Sequence, residues 1–198
     1  MESLEDNSGL FCIKRLERKI FRPNEYLSPN AYICSMATHL KNLSDFSHTS
    51  IPSGNGYKIA IVVAEWNAKI TGALYQGAFD TLLKHDVKES DILSLTVPGT
   101  FELAGAADIL LNKKKEVDAV ICIGCVIQGD TKHFDFICEA ASQGITNVGI
   151  KYSKPVIFGV LTTNDEQQAI DRAGGKHGNK GDEAAITALK MVEYSLNL

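Results

Sequence analysis

The chain has 198 residues, of which 44% are apolar and 22% are charged, and its formal net charge is −4. This composition is typical of a soluble globular protein with one well-filled core. The acidic balance gives no electrostatic reason to expect nucleic acid or an anionic membrane as a partner, and no apolar run approaches the roughly 18 residues that a membrane span needs.

The N-terminal segment, residues 1–57, has no repeating pattern and carries turn formers among scattered charges. We therefore expect an extension that is largely disordered or forms an arm. A basic stretch at residues 13–20 is compatible with an organelle presequence, but the acidic residues near the N-terminus argue against one, so we expect a cytoplasmic protein. Because Met36 can serve as a second start, we hypothesise that residues 1–35 lie upstream of the native start or form a disordered tail.

From residue 58 to residue 198, strand-like and helix-like patterns alternate. Four apolar runs predict strands at 58–64, 92–97, within 117–127 and at 155–161. Between and after them, the patterns predict helices at 70–83, 101–111, 133–144, 166–173 and 183–196. Such alternation implies right-handed crossovers, and so an α/β fold: a three-layer α/β/α sandwich with a four-stranded parallel, flavodoxin-like sheet.

Two cysteines, Cys122 and Cys125, have the spacing of a redox or metal-binding pair. They lie within an apolar run that reads as a buried strand, where positions three apart point to opposite faces. No second pair of cysteines or histidines follows at a suitable spacing. We therefore expect core packing by reduced thiols, and no metal site.

The carboxyl ends of parallel strands are where ligands bind in such folds, so the chemistry is expected there. Trp66 follows the first strand. An indole in this position can stack on a flat heterocycle, or it can pack against the next helix or a neighbouring subunit. Both interpretations are open on the sequence alone.

The third strand is followed by Gly129, Asp130 and Thr131, which lead directly into a predicted helix that starts at His133. Backbone amides at a helix N-terminus form an anion site, for which phosphate is a natural occupant, but ordinary capping by Asp130 or Thr131 explains the same residues. Histidine titrates near neutrality, so His133 can transfer protons on a ligand held here, or it can be simply solvated.

A glycine-rich segment at residues 174–181 lacks the spacing of a nucleotide-binding phosphate loop and follows a helix instead of a strand. Its region carries Arg172, Lys176 and Lys180. These cations can bind a phosphate or a polyol, or they can complement a helix dipole.

Taken together, the strand-end motifs resemble those of the lumazine synthase family. The matching stretches span about residues 57–196 in the family's order and spacing, and lie at 66–67, 97–102, 124–135, 155–162, 172–174 and 178–181. Gln128 stands where many members carry arginine. The resemblance implies that residues 58–198 are a lumazine synthase catalytic domain.

The family condenses 5-amino-6-(D-ribitylamino)uracil with 3,4-dihydroxy-2-butanone 4-phosphate to 6,7-dimethyl-8-ribityllumazine, the penultimate step of riboflavin biosynthesis, without a cofactor. The resemblance makes His133 the general acid and base. It assigns phosphate binding to Asp130, Thr131 and Arg172. The residues that it places around the pyrimidine and the ribityl chain are Trp66, Thr100, Phe101, Glu102, Cys125, Val126, Ile127, Phe158 and Lys180.

The resemblance also implies a homo-oligomer, either a pentamer or an assembly of pentamers, with active sites at subunit interfaces. Phe158 and Arg172 would then act on the substrate of the neighbouring subunit. Two alternatives to an enzyme are a flavodoxin-like binding module, which would hold a flavin or a nucleotide, and a shell protein that has lost activity. The combination of His133, Arg172 and Lys180 argues against the loss of activity.

Overall fold

The central sheet has four parallel strands, in a computed structural model that describes residue 46 and residues 50–198. The strands are β1 (Ile59–Ala64), β2 (Ile92–Val97), β3 (Ala119–Ile127) and β4 (Val156–Thr163). Their order across the sheet is β2-β1-β3-β4. The prediction of a four-stranded parallel α/β fold is therefore confirmed.

Five helices connect and follow these strands, and they cover both faces of the sheet. They are α1 (Ala68–Lys84), α2 (Leu103–Lys113), α3 (His133–Tyr152), α4 (Glu166–Asp171) and α5 (Lys180–Leu196). A 3-10 turn, Thr100–Glu102, precedes α2, and a short hairpin of β5 (Ala173–Gly175) and β6 (Gly178–Asn179) precedes α5. None of the helices in the described ranges is long and apolar enough to cross a membrane.

Two apolar layers sandwich the sheet. One layer packs residues of α1 and α5 against one face, and the other packs residues of α2 and α3 against the opposite face. The predicted stripe of α1 is buried in the first layer, at Ile70, Leu74, Ala78 and Leu82. Since Cys122 belongs to the second layer and Cys125 to the first, the prediction that these two side chains lie on opposite faces is confirmed.

The direction of chain progression reverses between β1 and β3. From β1 the chain crosses to β2 on one side, and β3 returns to the other side of β1. At such a reversal the connections leave in opposite directions, and a crevice opens at the carboxyl ends of the two strands. This topology fixes where the site lies.

The structure corrects the predicted end of α3, the predicted start of α5 and the turn between α4 and α5. Helix α3 continues to Tyr152, because Gly144 does not end it: a side chain at Gly144 would meet the Cβ of Ala104 at 2.7 Å, so this glycine lets α3 approach α2. The glycine-rich turn contains a hairpin. Helix α5 starts at Lys180, three residues earlier than predicted, because the side chain of Asn179 accepts a hydrogen bond from the amide of Gly181 at 2.8 Å.

The predictions for residues 1–35, and for most of the N-terminal segment, lie outside the described residues. In the described part of that segment, Ile51 and Tyr57 pack against the α1 and α5 layer. The amide of Gly54 donates to the carbonyl of His85 at 2.6 Å. The chain therefore contacts the domain before β1 begins.

Helices α1 and α5 touch through their backbones at Gly181. An added Cβ there would lie 1.9 Å from the carbonyl oxygen of Leu74 and 3.0 Å from the amide nitrogen of Ala78. Since both are main-chain atoms, only a separation of the helices would relieve the overlap.

We expect Gly181→Ala to lower the free energy of unfolding by about 1–3 kcal/mol, the usual cost of overpacking. Denaturant unfolding monitored by circular dichroism measures this effect. Gly72→Ala, in α1 with nothing within 4 Å of its added Cβ, is the matched control and should be neutral or slightly stabilising. Equal stability of the two variants would contradict the backbone contact.

Candidate active site

A cavity of about 610 Å³ lies at the carboxyl ends of β1 and β3, where the topology places a crevice. It is lined by Trp66, Asn67, Gly99, Thr100, Phe101, Glu102, Cys125, Val126, Ile127, His133 and Ile137. The structure thus brings His133 together with all the residues predicted at the ends of the first three strands. These are Trp66, Thr100, Phe101, Glu102, Cys125, Val126 and Ile127. The size is within the usual range for small-molecule sites.

Two aromatic side chains border this cavity and remain open to solvent in the chain. Trp66 is 74% exposed and Phe101 is 57% exposed. The indole of Trp66 lies over Gly99, where an added Cβ would come within 3.4 Å of Cδ1. Large exposed aromatic surfaces beside a cavity favour a flat ligand or a protein partner, since either would remove them from water.

The end of β3 offers backbone groups to the cavity. On its β1 side, β3 is paired only as far as Ile123, opposite Val63, whereas on its β4 side the pairing continues to Ile127. Beyond Ile123, the groups facing β1 therefore have no strand partner. One of them, the carbonyl of Cys125, accepts a hydrogen bond from Nδ2 of Asn67 at 3.0 Å.

A buried hydroxyl adds a polar group to the cavity lining. Thr100 is only 5% exposed, and its Oγ1 has no hydrogen-bond partner in the described part of the chain. Buried hydroxyls are normally satisfied, because leaving one unpaired costs free energy. The hydroxyl oxygen is covered and lies next to Gly124 of β3, where an added Cβ would come within 2.7 Å of it.

His133 is the first residue of α3, is exposed and lines the cavity. Asp130 and Thr131 precede it in an exposed loop but do not line the cavity. The cap position of α3 is Lys132, which makes no side-chain capping bond. The hydroxyl of Thr131 accepts only a long bond, of 3.4 Å, from the amide of His133.

The remaining predicted residues lie away from the cavity. Phe158, on β4, is half-buried and packs against the α2 and α3 layer. Arg172 follows α4, and Lys180 begins α5, which packs on the opposite face of the sheet. Neither the aromatic ring nor the two cations contribute to the cavity of their own chain.

Arg172 and Lys180 share one carboxylate. Nη2 of Arg172 lies 2.7 Å from Oε1 of Glu183, and Nζ of Lys180 lies 3.2 Å from its Oε2. Arg172 also donates from Nη1 to the carbonyl of His177 at 2.9 Å. Because all three charged side chains are largely shielded from water, this cluster holds its two cations in a defined place.

Comparison with known proteins identifies the family of the chain. The family model described as 6,7-dimethyl-8-ribityllumazine synthase matches residues 56–195. A protein of that name from Cytophaga hutchinsonii is 60% identical over 161 residues, which cover 81% of this chain and 100% of the relative. Another, from Porphyromonas gingivalis, is 57% identical over 157 residues, which cover 79% of this chain and 97% of the relative. The chain belongs to the 6,7-dimethyl-8-ribityllumazine synthase family.

The lumazine synthase resemblance carried by the strand-end motifs is therefore confirmed. A third relative of the same name, from Christiangramia forsetii, is 46% identical over 158 residues, covering 80% of this chain and 94% of the relative. Within the described ranges, no group of three or more His, Cys, Asp and Glu side chains has a geometry that could hold a metal ion.

Several residues of this lumazine synthase site were missed by reasoning from sequence. Asn67, Gly99 and Ile137 line the cavity, and Glu183 joins the two cations. The pair of Lys180 and Glu183 escaped prediction because Lys180 was placed in the turn before the helix, whereas the structure puts both residues in α5. Nothing in the local sequence indicates that Arg172, on the far side of a hairpin, joins this pair.

The thiols of β3 are shielded from solvent. Burial raises the pKa of Cys122 to about 12 and that of Cys125 to about 11. Cys138 lies on α3 and is only partly buried. Its pKa is also raised, mainly by burial and to a smaller extent by the negative charge of Asp135. A thiol is nucleophilic only as the thiolate, so both strand cysteines should be inert near neutral pH.

We expect Cys122 and Cys125 to resist iodoacetamide at pH 8 in the native protein, because both are protonated and covered. Mass spectrometry of the digested protein after timed labelling measures each site separately. Labelling in denaturant is the control and should modify both cysteines rapidly. Fast native modification of Cys122 would contradict its place in the core.

Proposed function

We propose that this chain condenses 5-amino-6-(D-ribitylamino)uracil with 3,4-dihydroxy-2-butanone 4-phosphate. The products are 6,7-dimethyl-8-ribityllumazine, phosphate and two molecules of water. The observation that carries the proposal is the cavity that gathers the exposed aromatic side chains, the end of β3 and His133 at one edge of the sheet. Membership of the family supports the same reaction.

In this proposal the pyrimidine stacks on the exposed indole of Trp66. Its polar edge meets the backbone groups of Cys125, Val126 and Ile127, which lie beyond the last pairing with β1. The ribityl chain runs along the 3-10 turn at residues 100–102. A flat apolar slot with a few fixed polar groups is suited to this substrate.

The substrate amine is the nucleophile, so the reaction needs proton transfers and no covalent intermediate with the protein. The 5-amino group attacks the ketone, and loss of water gives an imine. Phosphate is then eliminated, and attack by the ribityl-bearing nitrogen closes the ring with loss of a second water. His133 is the imidazole of the cavity lining, and we assign the proton transfers to it.

The phosphate requires cations that the cavity of one chain does not contain. Besides His133, the one ionisable acid or base among the lining residues of the cavity that carries a formal charge is Glu102. The negative charge of Glu102 would repel an anion. Arg172 and Lys180 do not line the cavity of their own chain. We therefore propose that a second copy supplies them, so that Arg172 helps the Asp130–Thr131 loop to bind phosphate and Lys180 reaches the ribityl end.

This arrangement supports a homo-oligomer, either a pentamer or an assembly of pentamers, with each site formed by two subunits. Phe158 of one subunit would cover the pyrimidine bound by its neighbour. Apolar side chains left exposed on α2 and α3, namely Ile109, Phe136 and Ile150, are suited to burial between copies. We further propose that residues 58–198 carry the activity and that it takes place in the cytoplasm.

Incubation of the protein with both substrates should give lumazine fluorescence faster than the uncatalysed reaction. We expect His133→Ala to lower kcat about 10²–10⁴-fold, the usual contribution of a general acid and base. His85→Ala, distant from the cavity lining, is a matched control and should leave the rate unchanged. A folded protein without acceleration would contradict the proposed reaction, and an unchanged rate in His133→Ala would remove that histidine from it.

The shared site can be tested by mixing two defective chains. Co-expressed His133→Ala and Arg172→Ala chains should recover about a quarter of the wild-type activity if they mix randomly in a ring, because some interfaces then pair an intact histidine with an intact arginine. The assay uses a low concentration of the butanone phosphate, where loss of the arginine is most damaging.

The control is a mixture of His133→Ala and Trp66→Ala chains. Since both residues line the cavity of one chain, no subunit in that mixture has an intact cavity, and no activity should return. Absence of recovery in the first mixture as well would show that Arg172 does not act across an interface.

A further inference from the structure

Asn67 adopts a backbone conformation that its position does not explain. It has φ 58° and ψ 44°, in the left-handed region, immediately before the first residue of α1. The other non-glycine residues with positive φ in the described ranges, Asp86 and Ser153, lie at the carboxyl ends of helices, where this conformation is common. At the start of a helix the backbone is ordinarily extended.

The side chain of Asn67 does not perform ordinary capping either. It makes no capping hydrogen bond to α1. Its Nδ2 instead donates to the carbonyl of Cys125 at 3.0 Å, two residues beyond the last backbone pairing of β1 with β3. The carboxamide thus ties the two strand ends together at the point where they separate.

Trp66 is consequently held from both sides. Its amide donates to the carbonyl of Pro98 at 3.3 Å, which fixes it to the end of β2. The next residue, Asn67, is fixed to β3 by the bond just described and to α1 by its own carbonyl, which accepts from the amides of Ile70 and Thr71 at 2.8 and 3.0 Å. The indole itself stays exposed on the cavity wall.

We infer that Asn67 is a positioning residue that sets the width of the slot between the Trp66 indole and the end of β3. Its left-handed turn directs the chain so that the indole faces the cavity, and its carboxamide fixes the spacing to Cys125. A flat ring that must lie against both walls depends on that spacing, because small displacements of bound reactants cost much of the rate. This inference rests on the proposed function for the identity of the ring.

Two substitutions remove the amide donor of Asn67 while keeping the left-handed turn. Asn67→Gly permits the left-handed turn but removes the amide. Asn67→Asp keeps the size of the side chain and tolerates the turn, but it presents a carboxylate to the Cys125 carbonyl instead of a donor. Ser153→Gly, the same kind of change at the end of α3, is the matched control.

The first measurement uses the resting protein. Trp66 is the only tryptophan of the chain, so tryptophan emission reports on the slot directly. Both Asn67 variants should lower the fluorescence anisotropy and increase quenching by acrylamide, whereas Ser153→Gly should match the wild type. Because no substrate is present, this result does not depend on the proposed reaction.

The second measurement is the kinetics of the variants. Both Asn67 variants should raise the KM for the ribitylaminouracil about tenfold, as expected for one lost hydrogen bond, and change the KM for the butanone phosphate less than about twofold. Unchanged emission and an unchanged KM in Asn67→Gly would overturn the inference. If the wild type makes no lumazine, the proposed function fails, and the emission of the variants still decides whether Asn67 positions Trp66.

Discussion

The separation of β1 and β3 at their carboxyl ends is the constraint on which the site depends. The strands are paired as far as Val63 and Ile123, and their connections then leave in opposite directions. Up to that point the apolar runs form a continuous, buried ladder, which needs nothing but backbone hydrogen bonds and core packing. Beyond it, the backbone of β3 and the aromatic residue after β1 face a cavity. The cavity therefore borders groups that the sheet would otherwise satisfy internally, and the side chain of Asn67 takes over one of the missing pairings by donating to the carbonyl of Cys125.

Much of this arrangement could be predicted from sequence because it follows from local periodicity and one topological rule. Apolar runs located the strands, a four-residue stripe located α1, and the strand-end rule selected Trp66 and His133. The start of α5 was wrong because of a local cap by Asn179, whereas the end of α3 was wrong for a non-local reason. Gly144 resembles a helix terminator, but it serves the packing of α3 on α2. The turn at Asn67 was also beyond sequence reasoning, since asparagine tolerates a left-handed conformation in many contexts and its partner lies on another strand.

The charged side chains assigned to the site fall into two separate groups within one chain. Glu102 and His133 line the cavity, whereas Arg172 and Lys180 lie outside it and are held by Glu183. Two cations in one shielded cluster would repel each other without that carboxylate, and with it they retain a net positive charge. In the proposed function, a single chain therefore separates its ring-binding and anion-binding elements. The proposed assembly would bring them together only when copies meet, and so link the chemistry to correct assembly.

Helix α1 connects the edge of the cavity with the cluster of Arg172, Lys180 and Glu183. It begins directly after Asn67, at the edge of the cavity, and half-way along it meets α5 at Gly181, next to Lys180. With no side chain between the helices at this point, α1 and α5 have little freedom to slide. A shift of α1 on ligand binding would be passed to the cation cluster, which in the proposed ring serves a different ligand. Neighbouring sites would then not be independent, and occupancy of one would bias the affinity of the next.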